Sequence, residues 1–217
     1  MPWRVRLRKD TAYLSAYYGK GLYTSSLPGD LRLFYSTNGT DWLPISEEPQ
    51  VSLPNAEEGA FIFDKEGNIW ANIRMEGTGS AVAFARSGAY DKWEVQTSDY
   101  KYDSSILFEC DNEIYMISRR NLDGKFNRAP KFFPENWRRL INLLRYSATK
   151  KVTSLFRLNK DKMEWEALLD FPSTGDNAFP ALIRLSNYEW FLYNYSSDIN
   201  GFAKSWLSGQ IDDTFIY

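Results

Sequence analysis

Short apolar runs, several of them alternating apolar and polar residues, recur along the chain between turn-forming clusters, and helical spacing shows clearly at one place. Alternation with a period of two places one side-chain face in a core and the other in water, so these runs predict antiparallel strands. They fall into four groups. The first holds Trp3 to Leu7, Ala12 to Tyr18, Leu31 to Tyr35 and Trp42 to Ile45. The second holds Ala60 to Phe63, Ile69 to Arg74, Ala81 to Ala85 and Trp93 to Gln96. The third holds Ser105 to Phe108, Glu113 to Ser118, Thr153 to Leu158 and Trp165 to Leu169. The fourth holds Phe179 to Leu185, Glu189 to Tyr195 and a weaker Ala203 to Gln210, before Thr214-Phe215-Ile216-Tyr217.

The connections repeat as well. Asp64-Lys65-Glu66-Gly67-Asn68 reads as a tight hairpin, because Asx side chains close turns on their own backbone and Gly supplies positive φ. A polar loop ending in Trp joins the third and fourth runs three times: Ser36 to Trp42, Ser87 to Trp93 and Asn159 to Trp165. A four-strand unit repeated every ~40–50 residues is the pattern of a β-propeller. The expected fold is therefore all-β, a propeller of four-stranded antiparallel blades, with residues 1–217 as one domain. The loop Ser36-Thr37-Asn38-Gly39-Thr40-Asp41-Trp42 resembles the Asp box of the sialidase-like superfamily, with Asn38 where Asp is usual. The resemblance implies part of a six-bladed ring, either incomplete or closed in an unusual way.

Residues 121–152 interrupt the repeat. Within them Pro134 to Arg145 reads as a short helix, with Trp137, Leu140, Ile141 and Leu144 on one stripe and Arg138, Arg139 and Arg145 elsewhere. Two roles fit it: packing the stripe on a blade edge or rim, or contact with an anionic membrane or a partner. From Arg119 to Lys151 there are ten basic residues against Asp123 and Glu135, although the whole chain carries a net charge of −2. That overall balance gives no reason to expect nucleic acid as a partner. Aromatic residues reach 17%, which reinforces the β reading. There is no histidine and one cysteine, Cys110, which excludes Cys/His zinc sites, a Ser-His-Asp triad and an intrachain disulfide. No cofactor is expected. No stretch has the length of a membrane span and the first residues lack a signal-peptide core, so the chain reads as soluble, with its compartment open.

Chemistry concentrates at strand ends. Glu58 precedes one strand, the chain reverses at Gly67, and Arg74 ends the next, so hairpin geometry returns Arg74 to the end that holds Glu58. This stretch looks like the sialidase-superfamily segment in which a Glu activates a tyrosine nucleophile and an Arg joins the clamp on a substrate carboxylate. By that match Glu58 takes the first role and Arg74 the second, and Arg119, at the end of the corresponding strand in the next group, matches another clamp arginine. Two guanidinium forks on one face would suit bidentate capture of a carboxylate. Gly175-Asp176-Asn177-Ala178-Phe179-Pro180 and Tyr193-Asn194-Tyr195-Ser196-Ser197 resemble a G-D-x-x-Y-P segment and following Y-Y-S-S strand of sialidase-like propellers. Here Phe179 replaces the expected tyrosine and removes that nucleophile.

The implied function is a propeller related to sialidase-like glycoside hydrolases that acts on or binds a glycan or other anionic small ligand. Glu58 and Asp176 are the candidate catalytic carboxylates, and Arg74, Arg119 and Tyr195 the candidate ligand-binding residues. The alternative is a noncatalytic propeller that binds a glycan or a protein. Each residue also admits a structural reading: Glu58 and Arg74 as a surface ion pair, Arg119 as the start of the basic insertion, Asp176 as a turn cap.

Overall fold

The computed structural model describes residues 1–19 and 28–217. Four antiparallel sheets follow one another along the chain. The first contains β1 (Pro2–Arg8), β2 (Thr11–Tyr18), β3 (Pro28–Ser36) and β4 (Leu43–Pro44), with β5 (Val51–Pro54) also paired to β3. The second contains β6 (Ala56–Phe63), β7 (Ile69–Met75), β8 (Gly79–Ala85) and β9 (Trp93–Ser98). The third contains β10 (Asp103–Cys110), β11 (Glu113–Asn121), β12 (Lys151–Asn159) and β13 (Glu164–Asp170), with α1 (Glu135–Ala148) inserted between β11 and β12. The fourth contains β14 (Asn177–Arg184), β15 (Trp190–Ser196) and β16 (Phe215–Ile216), with α2 (Trp206–Gly209) between the last two. This is the all-β propeller class expected from the repeat.

Two expected strands come out differently. Ala203 to Gln210 is not a strand: Ser205 accepts a hydrogen bond from the Ser208 amide and caps the short helix α2, and β16 supplies the third strand instead. The fourth strand of the first sheet is split into β4 and β5, which pair with opposite halves of β3. Pro44 and Pro49 lack amide hydrogens, so an unbroken ladder could not form there.

The chain divides into two compact units, Met1–Ser98 and Asp99–Tyr217. In the first, Leu31, Leu33, Phe61, Ile69, Ile73 and their neighbours form one buried core between two sheets. Ala71, Ala81, Ala83 and Ala85 keep the facing surface of the second sheet low. At Gly59 a Cβ would lie 2.3 Å from Leu31 Cδ1, so only glycine lets the sheets approach this closely. The Ser36–Trp42 loop closes as its composition implies: Asn38 Oδ1 accepts from the amides of Thr40 (3.0 Å) and Asp41 (2.9 Å), and Ser36 Oγ from that of Gly39 (2.9 Å). Trp93 and Trp165 stand at the start of β9 and β13, and Trp42 just before β4, equivalent places in three blades.

In every sheet the first strand carries a register shift close to its start, between Pro2 and Arg4, Ala56 and Gly59, Asp103 and Ile106, and Ala178 and Ala181. Each shift is an extra residue on that strand, a bulge, and bulges of this kind re-aim side chains near functional sites.

In the second unit, α1 inverts the simpler expectation for the helical stripe. Its buried residues are Asn142 and Tyr146, whereas Trp137, Leu140 and Leu144 are exposed. Asn142 Oδ1 accepts from the amides of Arg128 (3.2 Å) and Ala129 (3.0 Å), and its Nδ2 donates to Asn127 Oδ1 (3.0 Å). Hydrogen bonds and the Tyr146 ring attach this helix, not its apolar stripe.

Candidate functional site

In the first unit the pairing of Ala56 with Met75 and of Gly59 with Ile73 leaves both Glu57 and Glu58 within the bulge of β6, opposite Arg74. Arg74 Nη1 donates to Glu58 Oε1 (2.5 Å), Nε donates to Glu76 Oε2 (2.9 Å), and Nη2 also pairs with Glu76. Glu57, wholly buried, has Oε2 3.7 Å from Arg74 Nε. Hairpin geometry therefore does bring Glu58 and Arg74 together, but as a largely buried pair and not a surface one. Three carboxylates surround one guanidinium, so this locus is acidic and its arginine fork is already engaged. A shallow depression lined by Phe84, Arg86, Ala89, Lys92, Trp93 and Glu94 occupies the opposite end of the same sheet, where Ala85 pairs with Trp93.

In the second unit the strand ends of two neighbouring blades converge. Arg119 Nη1 donates to Asp176 Oδ1 (2.8 Å) and to the Asn177 carbonyl (3.0 Å), and Trp206 Nε1 donates to the same Asp176 oxygen (3.0 Å). Tyr195 stands beside this pair, close enough for both Asp176 and Arg119 to act on its phenol. Burial pushes the Tyr195 phenol well above its ordinary range; nearby Arg119 opposes this and Asp176 adds to it. Burial disfavours the charge of Arg119, but Tyr146, Asp103, Tyr195 and Asp176 together more than offset it, and its pKa rises. The guanidinium also lies over the Trp206 ring, 5.9 Å from the centroid.

Local backbone explains how Asp176 is aimed. Gly175 has φ +60°, and Gly209 of α2 packs so tightly that a Cβ there would lie 2.0 Å from the Asp176 amide nitrogen. The Ser197 amide donates to the Asp176 carbonyl (3.2 Å), and the Thr174 amide donates to Ser196 Oγ (2.8 Å). Next along, Ala178 and Phe179 both adopt positive φ, +93° and +48°. Such backbone costs about 1–3 kcal/mol per residue unless its surroundings hold it. Here it lays the half-exposed Phe179 ring against Tyr195, centroids 5.9 Å apart and planes 17° apart.

Counted from the bulges, Arg74 and Arg119 are not equivalent. Ile117 pairs with Ile106 as Ile73 pairs with Gly59, so Ser118 corresponds to Arg74, and Arg119 corresponds to Met75 and, in the last blade, to Tyr195. The Ser105–Ser118 hydroxyl contact (2.9 Å) stands where Glu58 and Arg74 pair. A one-residue offset moves a side chain to the other face of its sheet, so Arg74 and Arg119 do not repeat one clamp position.

Sequence reasoning missed the buried network behind Arg119. Asp103 is fully buried, accepts from the Tyr146 hydroxyl, and lies 3.7 Å from Arg119 Nε and 3.8 Å from Lys101 Nζ. Lys151 Nζ donates to the carbonyls of Tyr146 (2.5 Å) and Thr149 (3.0 Å) and to Thr149 Oγ1 (2.6 Å), closing the C-terminal end of α1. Burial nevertheless brings the Lys151 ammonium down to about 7; Asp103 opposes the change, and the like charges of Arg119 and Lys101 add to it. The strand-initial place of Asp103, matching Ala56 beside Glu57, was the only signal that could have found it. Among the described residues no group of His, Cys, Asp or Glu has the arrangement of a metal site.

No family model matches the chain, and no curated protein matches it. Solved structures do. A GH32 β-fructofuranosidase of Bombyx mori aligns over 88% of this chain and 41% of its own length, at 12% identity and a TM-score of 0.50. An endo-arabinase of Bacteroides thetaiotaomicron aligns over 98% and 72%, at 11% identity and a TM-score of 0.54. An α-L-arabinanase of Cellvibrio cellulosa, solved with arabinohexaose, aligns over 99% and 71%, at 12% identity and a TM-score of 0.52.

The chain has the fold of propeller glycoside hydrolases. It spans less than half the length of the fructofuranosidase and under three quarters of either arabinanase. Two propeller blades in the second unit thus present Arg119, Asp176 and Tyr195 as one cluster, and a single blade in the first presents Glu58 with Arg74.

Proposed function

We propose that this propeller binds glycans through Asp176, Arg119 and Tyr195, with Glu58 and Arg74 as a second, acidic locus. The observation that carries the reading is the cluster in which Arg119 and Trp206 both donate to Asp176, with Tyr195 beside it stacked on the half-exposed Phe179 ring. A carboxylate, a guanidinium and a phenol offer acceptors and donors to sugar hydroxyls, while Phe179 offers an apolar face to a sugar ring. Arg119 and Arg74 are already paired with carboxylates, which favours neutral sugars over a carboxylate-bearing one. The finer relation, to sialidase-like propellers, rests on the Ser36–Trp42 loop and the strand-end pattern. In that relation the retaining route loses its nucleophile, because Phe179 has no hydroxyl.

A hydrolytic reading uses Glu58 in the first unit, or Asp176 in the second, as an acid/base carboxylate of the kind glycoside hydrolysis needs. The carboxylate excess around Arg74 favours it. The two readings separate in one assay of the purified chain with a fluorogenic sialoside and a chromogenic arabinofuranoside. The binding account expects no turnover of either. Arabinofuranoside turnover lost in either Glu58→Gln or Asp176→Asn would install the hydrolytic reading, and sialoside turnover would overturn the argument from Phe179.

A further inference from the structure

Helix α1 is oriented against the usual logic of amphipathic helices. Its core-facing side is polar, anchored by Asn142 and by Tyr146, whose ring meets Phe126 edge to face (5.6 Å) and Trp206 at a tilt (5.8 Å). Its apolar stripe faces water: Trp137 is 59% exposed and Leu144 63%, with Leu140 beside them. Just before the helix, Phe132 and Phe133 stand on the surface in mutual contact, centroids 4.4 Å apart, Phe132 being 81% exposed. Contiguous apolar surface on the order of a few hundred Å² is unusual on a soluble protein and marks an interaction site.

Charge indicates what covers it. Within residues 121–152, Lys125, Arg128, Lys131, Arg145 and Lys150 are exposed and Arg138 and Arg139 half-buried against two acids of that segment, Asp123 and Glu135; Lys125 is paired with Asp99 (3.5 Å). A stripe of Trp, Phe and Leu bordered by cations suits an interface that is apolar at depth and anionic at its surface. A protein partner would meet the apolar stripe with matched polar rims of either sign and would not call for so one-sided an excess of cations in the segment. The helix is 14 residues long, and no helix among the described residues is long and apolar enough to cross a bilayer, so the geometry is that of a helix lying in the interface.

We infer that α1 and the Lys131–Phe133 segment form a peripheral docking surface for an anionic lipid bilayer, inserting Phe132, Trp137, Leu140 and Leu144 among the acyl chains and setting the cations against lipid headgroups. The inference is independent of the glycan reading, because it uses none of Glu58, Arg74, Arg119, Asp176 or Tyr195.

Cosedimentation of the full chain with extruded vesicles tests it, comparing phosphatidylcholine mixed with phosphatidylserine against phosphatidylcholine alone. Binding is expected to the mixed vesicles and to weaken with added salt. Each cation removed, in Lys131→Gln and Arg145→Gln, should lower partitioning about fivefold. The double variant Trp137→Ser, Leu144→Ser should abolish binding while the melting temperature holds, since both side chains already face water. Quenching of tryptophan emission by brominated phosphatidylserine vesicles, absent in Trp137→Phe, would place that ring below the headgroups. Equal affinity for both vesicle types, no binding, or binding indifferent to the serine variant would overturn the inference. So would a lipid-independent dimer that the serine variant dissolves.

Discussion

At the residue scale, Arg119 is the hinge of the second unit's chemistry, since one guanidinium serves Asp103, Asp176 and a backbone carbonyl. Replacing it with alanine leaves buried Asp103 with Lys101 at 3.8 Å as its remaining close cation, so the loss should be the lower part of the about 3–5 kcal/mol that breaking a buried pair from one side costs. Chemical denaturation should show that loss for Arg119→Ala and a smaller one when Asp103→Asn is added, because neighbours in one network are not additive. Lys151 gives a second prediction. Its pKa falls from the ordinary lysine range to about 7 on folding, so between about 7 and about 10.5 the unfolded chain holds a proton that the folded chain has released. Stability must then rise with pH across that window and carry the full penalty below it. Lys101, Asp103, Arg119, Asp123 and Tyr146 are the charged or titratable groups near it. The unfolding midpoint of wild type should climb between pH 6.5 and 9 relative to Lys151→Met; parallel profiles for the two proteins would remove the role given to Lys151.

At the scale of elements, strands were legible because alternation and turn chemistry are local properties. The hairpin that joins Glu58 to Arg74 was legible for the same reason. Register was not. A bulge adds one residue without a sequence mark, so Arg119 reads as the partner of Arg74 until the pairing of Ile106 with Ile117 is known. The orientation of α1 was also hidden, because a stripe such as Trp137, Leu140 and Leu144 normally faces a core, and nothing local announces that Asn142 and Tyr146 will anchor the helix. The α2 helix makes an element-scale test of the site. Gly209→Ala would set a Cβ against the Asp176 amide, so the 175–177 loop must shift and Asp176 must leave Arg119 and Trp206. Glycan affinity should fall at least about tenfold, the equivalent of roughly 1.4 kcal/mol, with the first unit's unfolding unchanged. Unchanged affinity in that variant would separate Asp176 from the site.

At the scale of the molecule, the repeat identified the fold class, but a fold held by many activities cannot name one. The first unit has a core of its own around Leu31, Phe61 and Ile73, so a fragment of residues 1–98 should unfold cooperatively and give dispersed amide resonances. A fragment that binds hydrophobic dye and melts without a transition would show that its core needs the rest of the chain. The central claim, that Asp176, Arg119 and Tyr195 hold a sugar, meets its most direct test in calorimetric titration of a neutral oligosaccharide series, arabino-oligosaccharides included, into wild type and Tyr195→Phe. The account predicts saturable binding to wild type and a loss of about fivefold to tenfold in the variant, the size of one hydrogen bond, at unchanged melting temperature. Absence of binding across the series, or equal affinity in both proteins, would contradict it.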